Sequence, residues 1–278
     1  MKNWLLIFSA AVLFDAALLV WCLAPQDGTE VEFFSVGEGD SELISLPGGV
    51  RILVDGGRGG NLLPELGRAL GPVEKRIDLM ILTHCQLDHL GGLEEAVKRF
   101  NVSAFIYNGC DSHLGEWNQL KNELVRNNIP IIQLGAGDRI NYKDGSISIL
   151  SPDFTANSVP DENERAITFL LKSGSSNFLF MSDAPPDLEQ GIIKNLPDQI
   201  DVLKVSHHGS RFSSTPEFLD KIKPRISVIE VGKNSYGHPA ASTLEKLEVY
   251  GKVYRTDLFG TIKIILEGER LNIFQEKP

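Results

Sequence analysis

The stretch that decides the fold is DLMILTHCQLDHLGG, residues 78–92. Its apolar run, 79–82, predicts a short buried strand, and the glycines at 91–92 lead into a helical pattern over 93–100. The loop between strand and helix carries two imidazoles and one carboxylate, on His84, Asp88 and His89. Nitrogen and oxygen donors of this kind bind zinc, manganese or iron. Since the whole chain has six histidines, two in one loop indicate a metal site rather than a chance cluster.

The composition is that of an ordinary globular protein, with 42% hydrophobic and 23% charged residues. The 278 residues suffice for one large domain or two small ones. A net charge of -10 argues against a surface that binds polyanions everywhere, although it allows a local basic groove. The three cysteines predict no disulfide framework. Cys110, Asp111 and His113 are a candidate second metal site, for which an ordinary surface loop is the favoured alternative.

The N-terminus predicts a membrane anchor. Residues 4–24 are almost all apolar and, at about 1.5 Å per residue, can cross an apolar core of roughly 30 Å. Trp4 and Trp21 lie near the two ends, where interfacial tryptophans belong. Positive charge before the segment and acidic residues after it predict a single-pass protein of the plasma membrane, with a cytoplasmic N-terminus and an extracytoplasmic domain. A cleaved signal peptide is the alternative.

The rest of the chain predicts an α/β fold. Short strands joined by glycine turns alternate with crossover helices, a pattern typical of two packed sheets with helices outside. We predict one domain over 31–274, preceded by the anchor (1–25) and a linker (26–30), and followed by a tail (275–278).

Titratable side chains recur where predicted strands end. Besides the loop after 79–82, three further strands are followed by such residues, namely Asp183, His207, His208 and His238. Strand ends in a layered fold tend to open on one edge, so these side chains are predicted to line one cleft. Each alone has a structural explanation, such as a helix cap for Asp183. Together they favour a metal centre.

The sequence resembles a known family. THCQLDHLGG (83–92) is similar to the His-x-(His/Asp)-x-Asp-His-x-Gly-Gly signature of the metallo-β-lactamase superfamily. Six more blocks resemble, in the same order, the metallo-hydrolase domain of ComEC-type competence proteins: FSVGEGDS (34–41), ILVDGG (52–57), LFMSDA (179–184), DVLKVSHHGS (201–210), YGHP (236–239) and VYRTDLFGTI (253–262). The resemblance covers 31–274. It implies an αββα sandwich and a metal-dependent hydrolase that degrades the non-transported strand during DNA uptake.

The resemblance also implies roles for single residues. His84 matches a ligand of the first metal position, and the ligands of the second position match Asp88, His89, Asp183 and His207. Asp183 can bridge the two positions. Asp88 is expected to orient a water whose pKa the metal lowers to about 7. Around the cleft, catalytic roles are implied for His208 and His238, and substrate contacts for Ser210, Arg211 and Asn163.

Two positions depart from the family pattern. Gln86 stands where the signature has His or Asp, and an amide is a poor ligand beside imidazole or carboxylate. We therefore expect one firmly bound divalent ion, zinc or manganese, with the second position weak or absent. Ser35 replaces an Asp of the first glycine block, which weakens the expected support of the site.

The leading hypothesis is a membrane-anchored phosphodiesterase or nuclease that acts on single-stranded DNA. Since only one span is predicted, the two expectations are a partner for a separate DNA-uptake channel subunit and a free-standing hydrolase on the outer face of the membrane. A locally basic run suits phosphate contacts, although pairing with nearby acids would explain part of it: Lys204, Arg211, Lys221, Lys223, Arg225 and Lys233. Two alternatives remain. One is a hydrolase of a small ester, amide or nucleotide; the other is a catalytically weakened subunit of a DNA-uptake complex, which Gln86 supports.

Overall fold

The computed structural model describes residues 12, 14, 28–143, 145–154 and 162–277. The predicted span over 4–24 therefore lies outside the described residues, apart from Val12 and Phe14, which are helical. Within the described part of the chain, no helix is both long and apolar enough to cross a membrane.

The regular elements follow one another along the chain as short strands and helices. The first half contains β1 (Thr29–Phe33), β2 (Glu42–Leu46), β3 (Val50–Val54), α1 (Leu62–Leu70), β4 (Arg76–Leu82), α2 (Leu87–Leu90), α3 (Leu93–Arg99), β5 (Asn101–Tyr107), α4 (Gly115–Arg126) and β6 (Ile131–Gln133). The second half contains β7 (Arg139–Tyr142), β8 (Gly145–Ser151), β9 (Thr168–Ser173), β10 (Ser176–Phe180), α5 (Pro186–Ile192), β11 (Val202–Lys204), α6 (Pro216–Ile222), β12 (Ile226–Ile229), α7 (Ala241–Glu248), β13 (Lys252–Arg255), α8 (Thr256–Phe259), β14 (Ile262–Glu267) and β15 (Arg270–Gln275).

The strands form two sheets, with the orders β15-β14-β1-β2-β3-β4-β5-β6 and β13-β12-β11-β10-β9-β8-β7. In each sheet one half is parallel, β3 to β6 in the first and β10 to β13 in the second. Parallel neighbours need a crossover connection, and helices supply most of these crossovers. The predicted α/β fold with two sheets is confirmed. Strand β7 and helices α2 and α8 were not predicted, because all three are short and β7 has a largely polar, half-exposed sequence at a sheet edge. Asp88 and His89, predicted in a loop, lie in α2.

The core lies in three layers. Between the sheets, aromatic and branched side chains interdigitate, and the rings of Phe169 and Phe180 stack with centroids 4.4 Å apart. Helices α1, α3 and α4 cover the outer face of the first sheet with buried leucines such as Leu66 and Leu120. Helices α5, α6 and α7 cover the second sheet in the same way, through residues such as Leu219. The order of layers is therefore helix, sheet, sheet, helix.

Replacing Phe169 tests the inter-sheet core. Phe169→Ala should lower the free energy of unfolding by about 3–5 kcal/mol, because it removes a fully buried ring and leaves a cavity. Urea unfolding of the full chain measures this. Phe274→Ala removes the same atoms from a ring that is 52% exposed, and should change stability by less than about 0.5 kcal/mol. Equal losses for the two variants would contradict the assigned core.

Candidate metal centre

The structure brings the titratable residues at the strand ends to one edge of the sandwich. His84 follows β4, Asp183 follows β10, and the pair His207-His208 follows β11. His238 lies in the loop after β12. The parallel pairing of β10, β11 and β12 makes their C-terminal ends meet at the same edge, and the sheet containing β4 contributes from the opposite layer.

Four atoms at this edge are buried and have no hydrogen-bond partner within the described structure: His84 Nε2, His89 Nε2, Asp183 Oδ1 and His208 Nε2. Asp183 Oδ1 lies 3.6 Å from His89 Nε2 and 3.9 Å from His208 Nε2. The ligand atoms of His84, His89 and Asp183 all lie within 4.8 Å of one another. A buried polar atom without a partner costs about 1–3 kcal/mol, so this cluster of unpartnered donors fits a bound cation. Three imidazoles and a carboxylate suit zinc and similar divalent ions.

Asp88 adds a carboxylate on the open side of this set. Its Oδ2 lies 3.8 Å from His208 Nε2, and Asp88, His89 and His208 form a second group whose ligand atoms lie within 4.8 Å. The Asp88 side chain is 25% exposed, whereas those of Asp183 and His208 are almost completely buried. Asp88 is therefore the carboxylate of the cluster that solvent can reach.

Each buried imidazole is held through its Nδ1 atom, which leaves Nε2 for the centre of the cluster. Asp55 accepts hydrogen bonds from Thr83 N at 2.8 Å and Thr83 Oγ1 at 2.6 Å, and its Oδ2 lies 2.7 Å from His89 Nδ1. His208 Nδ1 lies 2.9 Å from the Glu230 carbonyl and 3.2 Å from Asp40 Oδ1. Such contacts fix ring orientation and tautomer at metal sites. Sequence reasoning did not identify Asp40 and Asp55, although each lies beside glycines in a block quoted above.

The electrostatic field of the cluster favours positive charge. Burial lowers the pKa of His208, but the Asp183 and Asp40 carboxylates outweigh it and raise that pKa to about 10. Burial raises the pKa of Asp183, but His208 and His89 hold it well below its usual range. Burial and the charge of His89 lower the pKa of His84 to about 3, and they outweigh the opposite effect of the Asp183 and Asp88 carboxylates. The field that charges His89 and His208 would also attract a divalent cation.

The two adjacent histidines take opposite positions. Both have left-handed backbone conformations, with φ of 49° at His207 and 51° at His208, which non-glycine residues adopt at a cost. Their rings are nearly perpendicular, at 85°. The His208 side chain is 4% exposed and joins the converging donors, whereas that of His207 is 38% exposed, with Nε2 3.8 Å from Asp183 Oδ2. The predicted ligand His207 thus lies at the rim, outside the groups of converging ligand atoms, and His208 lies inside them.

The remaining predicted residues lie around the rim. The His238 ring is 5.5 Å from the His207 ring, and the Arg211 guanidinium lies over Phe212, 5.3 Å from the ring centroid. Ser210 is buried, and its hydroxyl oxygen accepts a hydrogen bond from Phe212 N at 3.4 Å within the same turn.

Gln86, which stands where the family signature has His or Asp, is hydrogen-bonded to Asn163. The amide nitrogen of Gln86 donates a hydrogen bond to Asn163 Oδ1 at 2.6 Å. A cleft of about 610 Å³ opens beside this pair, and its lining includes Arg58, Asp88, His113, Glu162 and Tyr236. The volume is in the range of small-molecule sites.

Half of the predicted basic run is neutralised by carboxylates. Lys204 is fully buried and paired with Asp40, while Lys221 pairs with Asp198 and Arg225 with Asp201. The run therefore does not form a continuous basic groove, and the expectation that nearby acids explain part of it is met.

The interpretation of the cysteines was wrong. Cys85 and Cys110 form a disulfide, both are buried, and their Cα atoms are 6.0 Å apart. The pairing escaped sequence reasoning because the two residues are 25 positions apart and become neighbours only when β4 and β5 pair in parallel. It also removes Cys110 as a ligand of a second metal site, and Asp111 instead accepts hydrogen bonds from Trp117 and Lys121. The disulfide ties the residue next to His84 to the loop after β5.

Comparison with known proteins agrees with this fold. The family model described as Beta-lactamase superfamily domain matches residues 50–206, so the chain belongs to this family. In sequence the chain is similar to ComE operon protein 3 of Bacillus subtilis, with 29% identity over 267 residues, covering 87% of this chain and 33% of that protein. It is also similar to Recombination protein 2 of Haemophilus influenzae, with 28% identity over 258 residues, covering 89% of this chain and 30% of that protein.

These relatives confirm the resemblance to ComEC-type competence proteins, and the chain spans about a third of their length. Among solved structures, the chain is similar in fold to CmlA of Streptomyces venezuelae, a diiron β-hydroxylase, with a TM-score of 0.57 and 15% sequence identity. That match covers 88% of this chain and 55% of CmlA.

The disulfide should be detectable chemically. Alkylation without reductant should modify one of the three cysteines of the full chain, and reduction should expose all three. Cys110→Ser should lower the free energy of unfolding by about 3.5 kcal/mol for a loop of 25 residues. Cys22→Ser is the matched control and should leave stability unchanged. Three alkylated cysteines without reductant would refute the pairing.

Asp55 should control metal affinity without touching the metal. Asp55→Asn keeps the shape but weakens the hydrogen bond to His89 Nδ1, so affinity for Zn²⁺ should fall about 10- to 100-fold. Competition with a chelating dye measures the affinity. Asp198→Asn changes a 93% exposed carboxylate and should leave affinity unchanged. Unchanged affinity in Asp55→Asn would show that the His89 contact does not support the site.

Proposed function

We propose that the chain is a metal-dependent hydrolase of phosphodiesters that acts on single-stranded DNA. The observation that carries the proposal is the set of four buried, unpartnered donor atoms at one sheet edge. Membership of the β-lactamase superfamily and similarity to competence proteins support it. We further propose that residues 31–274 form one domain, that 4–24 anchor it in the plasma membrane, and that a separate channel subunit is its partner.

The donors assign roles around the ion. We propose that His84, His89, Asp183 and His208 hold one divalent ion, zinc or manganese, with His207 at the rim. When bound, such an ion lowers the pKa of a water and polarises a phosphoryl oxygen. Asp88 faces solvent beside these donors and can accept a hydrogen bond from the attacking water, which orients it. His207 and His238 line the side of the site where a phosphate or leaving group would lie.

The rim provides contacts for a nucleic acid strand rather than a broad basic surface. Tyr236 is 67% exposed, lines the cleft and lies 5.9 Å from the His238 ring. An exposed aromatic ring beside a phosphate site is a platform on which a base can stack. Arg58, on the cleft wall, has a 56% exposed side chain that lies 3.7 Å from Glu38 Oε2, so its positive charge at the cleft is partly compensated. These contacts favour a single-stranded phosphodiester over a small ester or amide.

The bond between Gln86 and Asn163 favours a second candidate, a catalytically weakened subunit of a DNA-uptake complex. A second metal would need a ligand where Gln86 stands. The amide oxygen is a poorer ligand than imidazole or carboxylate, and the bond to Asn163 holds the amide group in place. The enzyme and the weakened subunit would bind the first ion alike. They differ in turnover.

Metal analysis and a cleavage assay on the same sample separate these candidates. The full chain should bind one Zn²⁺ or Mn²⁺ tightly and cleave single-stranded DNA when loaded. Asp88→Ala should reduce cleavage about 100-fold or more, because the attacking water loses its orienting carboxylate. Asp198→Ala, far from the cleft wall, serves as the control and should cleave normally.

The outcomes discriminate clearly. One bound metal without cleavage of DNA or of small phosphodiesters would identify the weakened subunit. Cleavage of small phosphodiesters but not of DNA would identify the small-molecule hydrolase. We expect one tightly bound metal in the wild type and two in Gln86→His. Two tightly bound metals in both proteins would overturn the role assigned to Gln86.

A further inference from the structure

We propose that the chain binds an acyl chain of a membrane phospholipid in an apolar cavity between the two sheets. The cavity has a volume of about 430 Å³, and none of the donor residues lines it. Its walls are mainly aliphatic, formed by residues such as Leu46, Val50, Ile52, Leu79, Ile147 and Leu171. The volume lies in the range of small-ligand sites, and nothing in the hydrolase chemistry uses it.

The lining selects the chemical class of the ligand. Side chains from the facing sheets, Ile52 from β3 and Ile147 and Leu171 from β8 and β9, present hydrocarbon to the cavity. A polar ligand buried there would lose its hydrogen bonds to water without replacement, whereas a hydrocarbon chain gains from leaving water.

The position of the cavity selects a membrane lipid as the source. Gly28 and Thr29 line the cavity, and they are the first described residues after the apolar segment 4–24. Four residue steps separate Ala24 from Gly28, and extended chain covers at most about 3.6 Å per residue, or about 14 Å here. The cavity rim would thus lie next to the lipid head groups. This step rests on the membrane anchor of the proposed function, not on the hydrolase activity.

The polar groups at the rim suit a phosphate head group. Tyr142 donates its hydroxyl hydrogen to the Pro47 carbonyl at 2.6 Å, and Lys143 Nζ lies 5.5 Å from the centre of the Tyr142 ring. The carboxylate that also lines the cavity, Asp78, accepts from Arg51 N at 2.8 Å and lies 3.5 Å from Arg76 Nε. Because Asp78 is already paired with these groups, the positive charge of Lys143 at the rim can attract an anionic lipid head group.

Photo-crosslinking tests the proposal with the full chain in nanodiscs of phosphatidylcholine and phosphatidylglycerol. The phosphatidylglycerol carries a diazirine at the end of one acyl chain, and mass spectrometry maps the labelled peptides. Peptides containing Leu79, Ile147 or Leu171 should be labelled. Ile147→Trp and, at the rim, Val50→Trp fill the cavity. The acyl chain can then bury at least two fewer methylene groups, so labelling of these peptides should fall at least about tenfold. Val73→Trp, at a 77% exposed position away from the cavity, is the matched control.

Label confined to residues 4–24 would refute the lipid site while supporting the anchor. Label in neither region would refute both. Equal labelling of the cavity peptides in wild type and both filled variants would also refute the site, provided that each variant unfolds cooperatively in urea, which reports the fold independently of the metal site. DNA cleavage by the same samples reports the hydrolase separately, so its failure does not affect the lipid result.

Discussion

The structure depends on the burial of carboxylates at one edge of the sandwich. Asp40, Asp55 and Asp183 are each 1% exposed, where water cannot stabilise their charge. A buried charge is tolerated only when it is paired and hydrogen-bonded. The buried ammonium of Lys204 pairs with Asp40, Thr83 and His89 contact Asp55, and His89 and His208 approach Asp183. Even so, Asp183 Oδ1 keeps no hydrogen-bond partner among the described residues, and that remaining deficit is what a divalent cation would remove.

The same constraint explains how far the sequence could predict the site. The convergence of His84, Asp183 and the His207-His208 pair could be predicted from strand ends alone, because the strands that precede these residues end at the same edge of the sandwich. Which of two adjacent histidines points inward did not follow, since it depends on left-handed backbone at both residues, and hydrophobic periodicity carries no signal for that. In the sequence alone, Asp40 and Asp55 stand beside glycines and indicate only turns. Their function as supports becomes visible only when His208 and His89 are placed against them.

The fold was more predictable than its cross-links. Alternating and continuous apolar runs located most strands, and errors fell on edge or short elements such as β7, where packing rather than propensity decides. The disulfide joins residues whose proximity is created by parallel pairing, a non-local property. Because it persists only in an oxidising compartment, the Cys85–Cys110 bond gives support, independent of hydropathy, to the proposed extracytoplasmic placement of the domain.

The two ends of the sandwich have different chemistry, and β1 connects them. The strand begins at Thr29 beside the apolar cavity and ends at Phe33, after which the chain turns through Gly39, at φ 125°, into Asp40. Five strand residues at about 3.3 Å each separate the two edges by about 17 Å. If 4–24 spans the membrane, the cavity edge faces the lipid and the donor edge faces away from it. A substrate strand could then reach Asp88 and Tyr236 from the solvent side without competing with the bilayer, whose anionic surface would otherwise repel it. The apolar end and the charged end are thus separated by the length of a strand, a distance that would let one small domain meet both the proposed membrane and the proposed polyanion.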